Sequence, residues 1–433
     1  MIFQLLFVLA AIVVGARLGG IGLGVMGGIG MSVLVFLFGL EPTSPPIDVM
    51  LMIAAVIAAA AAMQAAGGLD YLVLLAEKLL RKNPSHVTFL SPLVTYAFTF
   101  VAGTGHVAYS VLPVIAEVAR DTKIRPERPL GIAVIASQQA ITASPISAAT
   151  VALLGLISGA GLSLFDILKV SIPATLCGVL VAAFFSRKVG KELIDDPEYQ
   201  RRVKEGMIKE NEHTFNKVET PFRAKLSVIL FLAATFLIVL FGSIPGMRPV
   251  FDGTPVGMPA VIEILMLSTA AIIMLCCRID GISPTRGSVF IAGMQAVIAI
   301  FGIAWMGDTF INGNMAQLTG SIRGMVQQMP WLFCLALFIM SILLYSQAAT
   351  VRAVMPLGVA LGLSPYLLIA LYPAVNGYFF IPNYPTIVAA INFDRTGTTH
   401  IGKYVLNHSF MMPGLVASAV AICVGLLLIN IYW

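Results

Sequence analysis

RKNPSHVTFLSPLVTYAFTFVAGTGHVAYSVLPVIAEVARDTKIRPER, residues 81–128, is the stretch on which the reading of this chain turns. It is apolar between two basic clusters, Arg81-Lys82 before it and Arg120, Lys123, Arg125 and Arg128 after it. Gly103-Thr104-Gly105 interrupts its middle. A single membrane crossing would put one cluster on the outer side, against the bias of Lys and Arg toward cytoplasmic loops. Two short helices that enter and leave by the same face keep both clusters inside. The stretch therefore reads as a re-entrant hairpin over about 85–120, with a non-helical tip that protein or a water-filled cavity must surround.

Outward from this hairpin the chain is membrane throughout. Of its 433 residues 58% are hydrophobic and 11% charged, where a soluble domain carries about 25% charged residues. Runs such as Leu51–Gly67, Leu226–Phe241 and Val261–Cys276 approach the roughly 20 residues that span a hydrocarbon core. Met1–Val14 has no basic segment before it and no cleavage signal after it, so it reads as a first crossing. The five cysteines lie in apolar runs, without metal-ligand spacing or a disulfide framework.

The one long polar region, Arg187–Lys225, reads as a solvated cytoplasmic loop between two halves. Alternation from that loop puts Gly242–Pro259 and Asp308–Gln328 outside, and Arg278–Arg286 and Asp394–Lys403 inside. Of the 26 basic residues, two then lie outside (Arg248, Arg323), two in the membrane (Lys169, Arg352), and the remaining 22 face the cytoplasm. The positive charge is thus explained by orientation and not by nucleic acid. The expected fold is an all-α polytopic membrane protein of about ten crossings, with both termini outside.

The halves repeat. Pro84, Pro113 and Pro145 recur as Pro330, Pro356 and Pro385, at offsets of 246, 243 and 240 residues, within similar local sequences. This predicts two inverted repeats with paired re-entrant hairpins and broken transmembrane helices. Residues 1–186 form the first half, with its hairpin at about 85–120 and broken helix at about 129–158. Residues 226–433 form the second, with its hairpin at about 330–362 and broken helix at about 364–392, and 187–225 join them. Inverted repeats mark secondary transporters, whose sites form at the repeat interface near the midplane.

Four polar, helix-breaking segments fall at that depth and supply the candidate site. The hairpin tips offer Thr104, Gly105 and His106, and Ser346, Gln347 and Thr350. The broken helices offer Thr142, Ser144, Pro145 and Ser147, and Asn383, Pro385 and Thr386. Proline removes a backbone donor and opens a new helix start, whose free N–H groups bind anions. Kinks and back-bonded hydroxyls are common in membrane helices, but four symmetry-related segments are better read as one binding site. Arg352, just past the second tip, is a candidate anion partner, since charge inside a membrane usually serves function. The competing role for it is a snorkelling side chain or a helix-end salt bridge, and for His106 a hydrogen-bonded tip residue against a proton-linked switch. The helix Tyr71–Lys82, apolar on one face and charged on the other, reads as an interfacial arm. No catalytic constellation, metal cluster, cofactor motif or phosphate-binding loop is present in the sequence, which disfavours enzymes and ATP-driven pumps.

Gly15-Ala-Arg-Leu-Gly-Gly20, Met63-Gln-Ala-Ala-Gly-Gly-Leu-Asp-Tyr71, Ala102-Gly-Thr-Gly105, Ala143-Ser-Pro145, Ser346-Gln-Ala-Ala349, Thr396-Gly-Thr-Thr399, Ile401-Gly-Lys403 and Asn407-His408 together resemble the anaerobic C4-dicarboxylate transporter (Dcu) family. The resemblance implies exchange or ion-coupled uptake of fumarate, succinate, malate and aspartate across a bacterial inner membrane, by a homodimer with elevator-like motion and without cofactor. It implies substrate contacts at the hairpin tips and broken helices. A different role in the family, as partner of a membrane sensor kinase, would use Arg187–Lys225 or Asp394–Lys403. Transport of other small carboxylates is the remaining alternative.

Overall fold

The computed structural model describes residues 1–433 except 19, 20, 46, 209–220, 315, 316, 318–327, 345, 383 and 405. The described chain is helical almost throughout, apart from a two-stranded ribbon pairing Val250–Phe251 with Thr254–Pro255. Among the described residues seven helices are long and apolar enough to cross a membrane, or eight if one bent pair counts as a span. The apolar helices Ile2–Ile12, Gly24–Leu37 and Pro330–Ile342 are shorter.

The first half runs α1 (Ile2–Leu18), α2 (Gly22–Ser32), α3 (Ile47–Ala65) and α4 (Gly68–Lys82). Gly67, at φ 83°, lets the chain turn by 69° between α3 and α4. Leu69, Leu72, Ala76 and Leu80 bury one face of α4 while Glu77 and Arg81 pair along the other. Then come α5 (Val87–Ala102), α6 (Ala108–Asp121), α7 (Glu127–Ala143), α8 (Ala148–Ile157) and α9 (Leu164–Ser186).

After α10 (Pro197–Lys204), the second half repeats the order with α11 (Phe222–Ser243), α12 (Met258–Cys277) and α13 (Ser288–Gly313). Its hairpin is α14 (Pro330–Leu344) and α15 (Gln347–Ala360). Its broken helix is α16 (Pro365–Leu371), a 3-10 stretch over Tyr372–Phe379, and α17 (Pro385–Phe393). Helix α18 (Met411–Tyr432) closes the chain. Packing between the halves is reciprocal: α2 lies on α13 as α12 lies on α3, and α8 meets α15 as α17 meets α6.

The two hairpins open on opposite faces. Arg81, just before the first, reaches Glu117 at 3.0 Å and Asp121 at 3.7 Å at its far end. Its two ends therefore lie together. The following loop joins the start of α18, where the buried Glu127 accepts from Ser409 Oγ at 2.7 Å and its amide donates to Thr398 Oγ1 at 3.2 Å. In the second hairpin, Phe333 and Gly358 are so close that a Cβ on the glycine would stand 2.6 Å from the ring. The chain leaving that hairpin stacks Tyr366 on Trp433, with centroids 4.5 Å apart. Trp433 directly follows α18, whose 22 residues carry it about 33 Å from the start of that helix.

The loop after α9 departs from the expectation of a solvated linker. Its described part is docked: Leu193 is fully buried, and Arg125 bridges Asp196 and Glu127 at 2.5 Å each. Arg128 holds Glu192 at 3.1 Å, and Arg202 donates to the Arg395 carbonyl. Charge alternation in sequence is the same for a solvated loop and for one that pairs with neighbouring loops, so composition did not reveal the docking. Burial would push the Asp196 carboxyl up, but amide hydrogen bonds from Tyr199 and Glu198 and the Arg125 guanidinium hold it below the usual range.

Candidate functional site

Both helix breaks follow from local sequence. At the first, Pro145 forces Ser144 into extended backbone, ψ 129°. Ser147, also extended, restarts the helix by accepting the Thr150 amide at 3.1 Å. At the tip of the second hairpin, Ser346 does the same for Ala349 at 3.2 Å. In the second broken helix, Asn376 leaves helical geometry and Tyr384 is extended before Pro385.

Each hairpin is tied to the broken helix of its own half. Ser144 Oγ donates to the Phe100 carbonyl at 2.6 Å, and a Cβ on Gly103 would stand 2.9 Å from Ile146. In the other half the Gly377 amide donates to Ser341 Oγ at 2.8 Å. Gln347 Nε2 faces Asn376 Oδ1 at 3.0 Å and the Tyr378 hydroxyl at 2.6 Å.

The halves are then joined to each other through amides. Gln347 Nε2 also faces the backbone carbonyl of Gln138 at 3.2 Å. Asn376 Nδ2 faces Gln139 Oε1 at 3.1 Å and Thr142 Oγ1 at 3.3 Å. Gln139 Nε2 donates to Ser418 Oγ on α18 at 3.1 Å, and Thr150 and Tyr372 share a hydroxyl contact of 3.1 Å. Gln138, Gln139, Thr142, Gln347, Asn376 and Tyr378 are all buried. One residue of this network and one on α17 stand out. Both amide atoms of Gln138 and the Thr386 hydroxyl are buried without a hydrogen-bond partner among the described residues.

Thr142 and Gln347, singled out from sequence, thus meet in one network, flanked by Ser144, Ser147, Ser346 and Thr350. Pro145 and Pro385 shape the breaks, and Thr104 and Gly105 lie in the tip that packs beside them; a Cβ on Gly105 would stand 3.3 Å from Ile141. The side chain of His106 and the whole of Asn383 lie outside the described residues. Arg352 is not brought to the network. It follows Gln347 by five positions, about 140° around the helix, and pairs with Asp308 of α13 at 3.8 Å. Sequence reasoning passed over Gln138, Gln139, Asn376, Tyr372 and Tyr378. The signal was available: two adjacent glutamines and one asparagine in otherwise apolar helices.

The model of a family described as anaerobic C4-dicarboxylate membrane transporter matches residues 1–433. A C4-dicarboxylate transporter DcuA of Wolinella succinogenes is 46% identical over 426 residues, 98% of each chain. The DcuA of Escherichia coli strain K12 is 45% identical over 99% of both chains. An anaerobic C4-dicarboxylate transporter DcuB of Escherichia coli O6:H1 is 41% identical over 99% of this chain and 98% of its own. Among solved structures, the YdaH transporter of Alcanivorax borkumensis superposes with a TM-score of 0.57 at 15% identity, covering 99% of this chain and 96% of that one. At that identity the likeness shows a common fold.

Proposed function

We propose that this chain, which belongs to the anaerobic C4-dicarboxylate membrane transporter family, binds fumarate, succinate, malate or aspartate where its hairpins meet its broken helices. The observation that carries the site is the amide network between the halves, with the Gln138 amide and the Thr386 hydroxyl buried beside it and unpartnered. A buried polar atom without a partner costs about 1–3 kcal/mol, and a bound carboxylate would remove that cost for the donors, Gln138 Nε2 and the Thr386 hydroxyl. Helix starts at Ala148, Gln347 and Pro385 add partial positive charge for an anion. Thr104, Ser144, Ser147, Ser346 and Thr350 line the approach to it.

Substrate would reach this point from either side in turn. The opposed hairpins support alternating access by an elevator-like movement of the hairpins and broken helices against α2, α3, α12 and α13, in exchange or ion-coupled uptake. The face bearing Arg81, Arg125 and Arg202 is cytoplasmic in this reading, so both termini are periplasmic and the membrane is the bacterial inner one. The working unit is a homodimer in lipid. Counterflow of labelled succinate in proteoliposomes tests the site. Alanine at Thr142, Ser144, Ser346 or Thr386 should weaken apparent affinity about 10- to 100-fold, the value of one hydrogen bond to a charged group. Unchanged counterflow in all four variants would discard the site.

A further inference from the structure

We infer that Gln138 selects among C4-dicarboxylates, favouring those that carry a hydrogen-bond donor on C2, such as aspartate and malate. The inference rests on the binding site just proposed and adds to it the chemistry that the site reads.

Gln138 is 1% exposed, and neither its Nε2 nor its Oε1 has a partner among the described residues. It lies one turn before Thr142, on the same face of α7, and Thr142 receives the Asn376 amide. Its backbone carbonyl receives Gln347 Nε2. The side chain therefore stands on the face of α7 that meets the second hairpin and the second break. Its neighbour Gln139, by contrast, is used at both ends, donating to Ser418 and accepting from Asn376.

A primary amide has a donor and an acceptor, and both need satisfying in a buried site. A carboxylate can take the Nε2 hydrogens but offers nothing to Oε1. Fumarate and succinate dianions carry no hydrogen-bond donor at all, so they leave Oε1 bare. The ammonium of aspartate or the hydroxyl of malate, next to a carboxylate on the same carbon, satisfies both atoms of Gln138 together. Sites built to bond a substrate N–H or O–H reject analogues that lack it far more strongly than apolar pockets reject a missing methylene.

The test uses the full chain in proteoliposomes, with unlabelled aspartate, malate, succinate and fumarate each competing against counterflow of labelled succinate. Gln138→Met keeps the side-chain length and removes both polar atoms. The affinity ratio of aspartate or malate to succinate should fall about 10- to 100-fold in this variant. Gln138→Glu keeps the acceptor, so it should retain the preference for aspartate over succinate, and it decides the matter if the methionine variant does not fold. Equal weakening of all four substrates, or of none, overturns the inference while leaving the proposed transport intact. So does a wild-type succinate affinity that rises tenfold for each unit of falling pH, because the donor would then be the proton of the substrate's own carboxyl. Absence of counterflow by any of the four in the wild type removes the underlying site instead, and the inference with it.

Discussion

Gly377→Ala places one methyl group where the second hairpin meets the second broken helix. A Cβ there would stand 2.6 Å from Ser341 Oγ and 2.8 Å from both the Phe338 carbonyl oxygen and its ring. Ordinary contact begins at 3.4 Å, so the backbone of α14 has to retreat by about 0.6 Å. The same retreat stretches the Gly377 N–H bond to Ser341, now 2.8 Å, to about 3.4 Å, beyond the useful range. Overpacking typically costs 1–3 kcal/mol and a lost hydrogen bond about 0.5–1.5 kcal/mol. The expected destabilisation is therefore about 2–4 kcal/mol, and displacement of the adjacent Asn376 should weaken succinate counterflow as well. Gly28→Ala is the control: nothing lies within 4 Å of its Cβ, and it should be neutral or stabilising by up to about 1 kcal/mol. Equilibrium unfolding in mixed micelles gives the stabilities. A Gly377→Ala protein as stable as Gly28→Ala would refute the close packing on which the site is built.

Asn376→Leu and Gln139→Leu should each cost about 1–3 kcal/mol and show a positive coupling in a double-mutant cycle, because each strands the other's amide; additive losses would mean that the two do not bond. Asp196→Asn should destabilise the protein by about 1–3 kcal/mol at neutral pH, the Arg125 guanidinium keeping Glu127 as a partner. Because the folded Asp196 carboxyl titrates below its ordinary value, its contribution is present above pH 4 and lost as the pH falls through the depressed value. Unfolding of wild type and variant compared from pH 7 down to pH 3 should therefore converge only at the acid end. Cysteines at Asn83 and Lys123 should be labelled from one side of sealed vesicles and a cysteine at Met329 from the other; labelling of Asn83 and Lys123 from different sides would make the first hairpin a crossing.

Much of the fold was written locally. Proline, glycine and serine act on the residues beside them, so the breaks at Ser144-Pro145, at Ser346 and before Pro385 follow from a few consecutive residues. Charge bias and the repeated proline spacing add which ends of a hairpin lie together. Thr142 and Gln347 were legible for the same reason, as polar residues at such breaks. What no local rule could supply is which polar groups meet. Gln139 and Asn376 are 237 residues apart, and Gln138 and Gln347 are 209 apart. Helix phase, a property of the assembled packing, likewise turned Arg352 toward Asp308 and left Gln138 facing the second half without a partner among the described residues. The loop after α9 shows the same limit, since its alternating charges describe a solvated segment and a docked one equally well until Arg125 and Asp196 are placed side by side. Sequence determined where this chain bends and that it lives in a membrane, because those are short-range consequences of backbone chemistry and hydration. Only the tertiary structure decided what its buried amides bind, because hydrogen bonds between distant segments depend on how whole helices rotate and cross.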